Sequence, residues 1–295
     1  MHQKVAFLGL GVMGYPMAGH LQTSGCQVTV YNRTKAKAEQ WHRKFGGPVA
    51  DTPREAVEGA EIVFACVGDD ADVRQICLGD DGAFAGMKPG TVFVDHTTAS
   101  AELAREMYKE ARQRDLQFMD APVSGGQAGA DSGSLTVMVG GDLSVFNHVN
   151  PTIDHYSRSC KLLGPAGSGQ LCKMVNQICI AGLVQGLSEG LHFAEKVGLD
   201  PHQVVDVISK GAAQSWQMEN RYRTMLNNDY DHGFAVDWMR KDLGIVLSEA
   251  SQQDVSLPVT ALVDQFYGDV QNLGGGRWDT SSLLARLKSL ESRNK

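Results

Sequence analysis

Positive charge is in short supply in this chain: 27 Lys and Arg stand against 34 Asp and Glu over 295 residues, a formal net charge of −7. A nucleic-acid binder normally presents a basic face, so the balance argues against that class of partner. No apolar run reaches the roughly 18 residues of a membrane span, so no membrane partner is expected. The six cysteines (Cys26, Cys66, Cys77, Cys160, Cys172 and Cys179) never form C-x-x-C. In a chain of this size they are expected to be reduced, buried small hydrophobes rather than a disulfide framework. The nine histidines show no H-E-x-x-H or other ligand spacing, so no metal is expected. The N-terminus lacks the basic, apolar and small-residue order of a secretory signal. A cytoplasmic location fits these absences.

Glycine is plentiful, with 33 in the chain. Lys4-Val5-Ala6-Phe7-Leu8 reads as a buried strand and runs straight into Gly9-Leu10-Gly11-Val12-Met13-Gly14. Pro16 to Ser24 has helical character, Gly25 stops it, and Gln27-Val28-Thr29-Val30-Tyr31 is a second strand. A G-x-G-x-x-G bracketed by strand and helix is the dinucleotide-binding βαβ signature. The glycines allow a tight turn, close approach to a pyrophosphate, and close helix-to-strand packing. The diphosphate then sits at the positive end of the helix.

The end of the second strand bears on which dinucleotide. An NAD enzyme usually places Asp or Glu there to hydrogen-bond the ribose 2′-OH. This chain has Asn32-Arg33-Thr34, followed by Lys35 and Lys37. Asn, a guanidinium and a hydroxyl can all donate to a 2′-phosphate that a carboxylate would repel. The basic residues could simply be a solvated helix start, but cations there oppose the helix dipole. NADP(H) is therefore favoured over NAD(H).

To about residue 163, short apolar runs alternate with helical segments: Glu61–Val67, Thr91–Asp95, Gln117–Ala121, Leu135–Val139 and Cys160–Leu163. The pattern predicts an α/β Rossmann-type, doubly wound parallel sheet, whose ligands gather at the strands' carboxyl ends. After Gly164-Pro165-Ala166-Gly167-Ser168-Gly169 the chain reads as helical. We expect a domain at 1–163 and an all-α domain at 164–295, joined by a long interdomain helix, Gln170 to Val197, on the order of 42 Å long. Gly182, Gly186 and Gly190 recur on one face of it, where another helix could approach closely. Further helices are expected at Pro201–Ser209, Trp238–Gln253, Val259–Leu273 and Ser281–Leu290, with Gly274-Gly275-Gly276 as a flexible link. The apolar surface of the long helix predicts a homodimer or homotetramer.

Gly164 to Gly169 has Walker A spacing, but Gln170 and Leu171 replace Lys and Ser/Thr, so an NTPase reading is poor. Lys173 and Asn176 sit just inside the helix, three apart and on one face. On these residues alone, a lysine on the solvated stripe and a lysine with a catalytic role are equally open.

Four ordered motifs then carry a resemblance over nearly the whole chain: Gly9-Leu10-Gly11-x-Met13-Gly14, Asp120-Ala121-Pro122-Val123-Ser124-Gly125-Gly126, Gly164-x-x-Gly167-x-Gly169-x-x-x-Lys173-x-x-Asn176, and Lys241-Asp242-Leu243. The chain resembles the β-hydroxyacid dehydrogenase family, which includes 3-hydroxyisobutyrate dehydrogenase and tartronate semialdehyde reductase. The resemblance implies that the first motif binds the cofactor diphosphate and that Ser124, Gly125 and Gly126 hold the substrate carboxylate. It further implies that Lys173 is the catalytic lysine, with Asn176 orienting substrate, and that Lys241 lies near the nicotinamide. Val67-Gly68 and Thr97-Thr98 match positions that contact the adenosine and nicotinamide ribose, with Thr98 the favoured contact. The family usually reads Asp-x-Ser-Thr where this chain has Asp95-His96-Thr97-Thr98. Asp95 is expected to be a strand-end or cap residue, and His96 a lone exposed bystander.

Chemistry agrees with these assignments. Glycine amides can approach an anion unobstructed. A lysine can give a proton as an alkoxide forms and take it back in oxidation, provided desolvation and nearby positive charge, for which Lys241 is the candidate, bring it nearer neutrality. Phe234, Trp238 and Lys241, at i, i+4 and i+7, are expected on one helix face, more often a core stripe than a substrate wall.

The expected activity is NADP(H)-dependent interconversion of a short β-hydroxyacid and its semialdehyde, chiefly as reductase. An imine reductase-like enzyme commonly lacks this lysine, and 6-phosphogluconate dehydrogenase has a longer helical domain. A non-catalytic dinucleotide sensor or scaffold would have no need of the lysine or the carboxylate loop.

Overall fold

The computed structural model describes residues 3–292, and the chain divides into two compact units, Met1–Lys173 and Met174–Lys295. The first is built on one eight-stranded sheet. Its strands are β1 (Lys4–Leu8), β2 (Gln27–Tyr31), β3 (Ile62–Ala65), β4 (Val92–Asp95), β5 (Gln117–Asp120), β6 (Val123–Ser124), β7 (Leu135–Gly140) and β8 (Ser157–Gly164). They lie in the order β2-β1-β3-β4-β5-β7-β6, with β8 also paired to β7. Pairing is parallel from β2 to β5, β7 runs antiparallel to β5 and β6, and β8 is parallel to β7. The last strand is longer than the Cys160–Leu163 expected, and the two-residue β6 is too short to leave a sequence signal.

Side chains alternate across the strands. Val5, Phe7, Val28, Val30, Ile62, Phe64, Val92, Val94 and Met119 enter one core with Trp41 and Tyr156. Ala6, Leu8, Val63, Ala65, Phe93 and Phe118 enter the other with Phe84, Leu103 and Met107. Burial on both faces is why β1, β3 and β4 read as unbroken apolar runs, whereas the edge strand β2 alternates. The direction of winding reverses between β1 and β3, the place where open α/β sheets leave a crevice at their carboxyl ends.

The carboxyl edge is held by two buried carboxylates paired in register across β4 and β5, Asp95 and Asp120. Asp120 Oδ1 accepts from Gly167 N at 2.7 Å and Oδ2 from Gln170 N at 2.9 Å. A carboxylate of the sheet therefore caps the start of the Ser168–Lys196 helix, and the helix begins two residues earlier than expected. Asp95 Oδ1 accepts from Thr97 N at 2.9 Å, the strand-end role expected of it.

The second unit continues the long helix and adds helices Pro201–Ile208, Trp216–Leu226, Val236–Gln252, Pro258–Asn272 and Leu283–Ser292. Ala181, Val184, Met239, Leu243, Val263 and Tyr267 form one core cluster, and Leu187, Leu191, Met218 and Met225 fall in another. The Trp216–Leu226 helix is absent from the sequence expectations: its polar content (Gln217, Glu219, Asn220, Arg221, Arg223) masks the sparse Met218 and Met225 that it buries. Gly274-Gly275-Gly276 is an ordered turn, not a flexible link. Gly275 N donates to Val270 O, Asp237 N donates to Gly276 O, and a Cβ on Gly276 would collide with the Asp237 carboxylate.

Burial pushes the Asp95 carboxyl up to about 7, against the opposing effect of hydrogen bonds from the Thr97 hydroxyl and backbone N–H. The folded chain therefore keeps a proton that the unfolded chain releases, and the contribution of Asp95 to stability falls as pH rises from about 4 to about 7. Asp95→Asn removes that titration while keeping the acceptor for Thr97 N. Its stability relative to wild type, from urea unfolding at a series of pH values, should climb by up to about 1.4 kcal/mol per pH unit across this window and level off above it. A flat difference would contradict the assignment.

Candidate active site

The glycine loop turns where β1 ends. Gly9 has φ +96°, and a Cβ there would run into the Cys66 carbonyl at the end of β3. A Cβ on Gly14 would meet the Gly9 carbonyl, whereas one on Gly11 would meet nothing within 4 Å. Packing thus accounts for the outer glycines, and the middle one faces open space, as a backbone that must admit a diphosphate requires. Leu10 is buried and Val12 is 58% exposed. Met13 is the N-cap of the Gly14–Thr23 helix and supplies no side-chain cap. The first turn holds no acidic residue, so the positive end of the dipole is not offset there.

Asn32, at the end of β2, braces this loop. Its Oδ1 accepts from Leu10 N at 2.8 Å and its Nδ2 donates to Thr34 O at 3.0 Å. Arg33 is exposed and ion-pairs with Asp72 at 3.0 Å, whose other oxygen accepts from Gly68 N at 3.2 Å. Thr34 is the N-cap of the Lys35–Phe45 helix, with its hydroxyl unused as a cap and no acidic residue in the first turn. An anion at this rim would meet a guanidinium, a hydroxyl and a helix N-terminus, and would compete with Asp72 for Arg33.

Beyond β3 and β4, Val67 N donates to the Thr97 hydroxyl at 3.0 Å. Thr97 is buried and Thr98 half-buried. His96 is not the exposed bystander expected: it is 1% exposed. Its ring stacks on Phe64 and lies edge-on to Tyr156, with Nδ1 at 2.6 Å from Ala121 O and Nε2 at 2.8 Å from the Tyr156 hydroxyl. Burial lowers its pKa to about 4, so it stays neutral, donating from Nδ1 and accepting from tyrosine. The single sequence cannot distinguish this from a loop histidine, because Tyr156 lies 60 positions away.

The Ser124-Gly125-Gly126 segment leaves β6 with φ +132° at Gly125 and +59° at Gly126. Both favour glycine. Ser124 is half-buried, the two glycines are exposed, and a Cβ on Gly126 would meet nothing within 4 Å.

Lys173 is buried, 7% exposed, so it does not lie on a solvated stripe. Gln170, at 1%, and Gln177, at 2%, fall on the same helix face at i−3 and i+4. Sequence reasoning passed over these two glutamines, although a polar i, i+3, i+7 stripe in an apolar helix was a legible sign of a buried polar face. Gln170 Nε2 donates to Thr97 O at 2.7 Å and its Oε1 accepts from Ala99 N at 3.1 Å. In the second unit, Asn176 Nδ2 donates to Gln177 Oε1 at 2.8 Å, and Gln177 Nε2 donates to Asp242 Oδ2 at 2.7 Å. Lys241 Nζ lies 3.1 Å from Asp242 Oδ1 and 5.8 Å from the Trp238 ring centroid. Lys241 thus carries its own buried counter-ion, which offsets the positive charge it could lend a neighbour. Phe234 precedes the Val236–Gln252 helix instead of sharing a face with Trp238, its backbone held by Asp279 and Thr280.

Among the described residues no three His, Cys, Asp or Glu side chains gather to hold a metal ion. None of the described helices is long and apolar enough to cross a membrane. None of the six cysteines is in a disulfide; Cys26 and Cys77 are buried as expected, but Cys179 is exposed.

Residues 4–164 match the model for the NAD-binding domain of 6-phosphogluconate dehydrogenase, and residues 167–287 the model described as NAD-binding of NADP-dependent 3-hydroxyisobutyrate dehydrogenase. An uncharacterized oxidoreductase of Shewanella frigidimarina is 63% identical over 98% of this chain and 99% of its own. The 2-hydroxy-3-oxopropionate reductase of Escherichia coli is 33% identical over 97% of each. Mycobacterium tuberculosis 3-hydroxyisobutyrate dehydrogenase with L-serine superposes with a TM-score of 0.87 at 29% identity, covering 97% of this chain and 99% of that one. Psf3 in complex with NADP+ and 2-OPP gives 0.88 at 25%, covering 96% and 99%. An imine reductase from Myxococcus stipitatus, at 18% identity and 0.65 over 97% and 100%, shares the fold alone. With both halves of the chain matched and relatives aligned along nearly its full length, this protein belongs to the β-hydroxyacid dehydrogenase family of NAD(P)-dependent oxidoreductases acting on CH–OH donors.

Proposed function

We propose that the chain is an NADP(H)-dependent reductase that interconverts a short-chain β-hydroxyacid and its semialdehyde, with Lys173 as general acid and base. The observation that carries the reading is a buried lysine one turn into a helix whose start is capped by a carboxylate from the sheet's carboxyl edge. When bound, the dinucleotide supplies or accepts the hydride. The chain does the rest. The backbone of Gly9, Leu10, Gly11, Val12, Met13 and Gly14 holds the diphosphate, Val67 and Thr98 face the riboses, and Lys241 serves the nicotinamide end. Amides of Ser124, Gly125 and Gly126 hold the substrate carboxylate, a small anion suited to a glycine nest. Asn176 orients the carbonyl, and Lys173 gives its proton to the carbonyl oxygen as negative charge develops there.

Preference for NADP(H) is supported by Arg33 and Thr34 at the rim and by the missing carboxylate at position 32. The NADP+ bound to a structural relative agrees. Residues 1–163 act as the cofactor domain and 164–295 as the substrate and oligomerisation domain. Exposed Val175, Leu183, Phe193 and Val197 on and just after the long helix support pairing of copies into a homodimer or homotetramer. Six cysteines outside any disulfide fit a cytoplasmic setting.

Lys173→Ala should lower kcat for reduction of short semialdehydes by about a thousandfold, while the Kd for NADPH from fluorescence titration stays within about threefold. Turnover at the wild-type rate would rule out the role.

Asn32→Asp keeps an acceptor for Leu10 N but sets an anion where the 2′-phosphate is proposed to lie. The ratio of kcat/KM for NADPH over NADH, followed at 340 nm, should fall about tenfold or more. An unchanged ratio would remove the 2′-phosphate from this rim.

A further inference from the structure

We propose that Gln170 is a positioning residue of this enzyme, its carboxamide locking the Thr97–Ala99 loop to the helix turn that precedes Lys173. One side chain then sets the cofactor-side Thr98 and the proton-transferring amine in register. The inference rests on the roles given above to Thr98 and Lys173.

The carboxamide meets the loop twice. Nε2 donates to Thr97 O at 2.7 Å and Oε1 accepts from Ala99 N at 3.1 Å, which leaves Thr98 as the residue between two fixed points. The same residue's backbone N–H donates to Asp120 Oδ2 at 2.9 Å, so the clip is anchored to β5 as well. On the far side, the Thr97 hydroxyl accepts from Val67 N at 3.0 Å and Thr97 N donates to Asp95 Oδ1 at 2.9 Å. A continuous set of hydrogen bonds therefore runs from the loop after β3, through Thr97, to Gln170. Lys173 follows three positions later on the same helix face.

The site calls for one donor and one acceptor at glutamine's reach. An ionised glutamate has only acceptors and would confront the Thr97 carbonyl with an anion, whereas a protonated glutamate reproduces both contacts. Methionine fills the same space and makes neither. Burial raises a carboxyl's pKa, so a glutamate here would change state within the range of ordinary assays. The groups around it are Asp95 and Asp120 at the ends of β4 and β5, His96 beside Thr97, Arg105 beside Gly167, and Lys173 on its own helix. All remain in both proteins, so the difference between two pH profiles isolates position 170.

The test compares wild type, Gln170→Glu and Gln170→Met from about pH 5.5 to pH 8.5, reading NADPH affinity by fluorescence, kcat and KM by absorbance, and Tm. At pH 8, Gln170→Glu should bind NADPH about tenfold more weakly and turn over about tenfold more slowly, as expected for one or two buried hydrogen bonds broken. Both deficits should shrink to within about threefold at the acid end, while those of Gln170→Met stay constant. A Gln170→Glu deficit that does not vary with pH, or a Gln170→Met enzyme with wild-type Kd and kcat and only a lower Tm, would overturn the proposal. The titration needs no turnover, so it separates the two claims. A wild type that binds NADPH but reduces no short semialdehyde refutes the reaction proposed above, while acid recovery of Gln170→Glu binding would still support the coupling of residue 170 to the cofactor loop.

Discussion

The structure depends on a helix N-terminus seated on a sheet. Asp120 ends β5 in a fully buried position, and its two oxygens accept from Gly167 N and Gln170 N. Burial raises the carboxyl's pKa, and the hydrogen bonds from Gly167, Gln170 and Gly169 oppose that rise. A carboxylate at a helix N-terminus meets both the orphan amides and the positive end of the dipole. Glycines make the approach possible: a Cβ on Gly140 or Gly169 would collide with Asp120 itself. The motifs Asp120–Gly126 and Gly164–Lys173 are thus two halves of one junction. The conformation of that junction decides where Lys173 stands.

A second constraint acts at the other end of the site. Asn32 uses both ends of its carboxamide on the backbone of the glycine loop and of its own turn. Gln170 does the same for the loop after β4. In both places an amide side chain works as a brace between loops, which suits a rim that must admit a large anionic ligand without rearranging. The charged residues at this rim behave differently: Arg33 is exposed and is held only by a surface ion pair with Asp72.

Much of this was legible in the residues. Strands buried on both faces leave apolar runs, and the three glycines between a strand and a helix mark the first turn by spacing, whereas Ser124-Gly125-Gly126 and Lys173 stood out only through the family resemblance. What escaped had long-range or diluted causes. His96 becomes a buried, neutral hydrogen-bonding group only because Tyr156 and Phe64 arrive from distant parts of the chain. Gln170 reads in sequence as a failed Walker lysine, and its actual partners lie 71 to 73 residues earlier. The Trp216–Leu226 helix buries too few side chains to show a period. Gly275 and Gly276 look like a link because nothing in the local pattern names the Trp278 ring and the Asp237 carboxylate that press against them.

Hydrogen exchange at the junction is the most direct measurement. If the carboxyl edge of the sheet holds the start of the long helix, the amides of Gly167 and Gln170 exchange as slowly as those of β4 and β5, and Asp120→Ala frees them while the strand amides stay protected. Exchange of those two amides at the rate of an open surface loop in the wild-type protein would contradict the account.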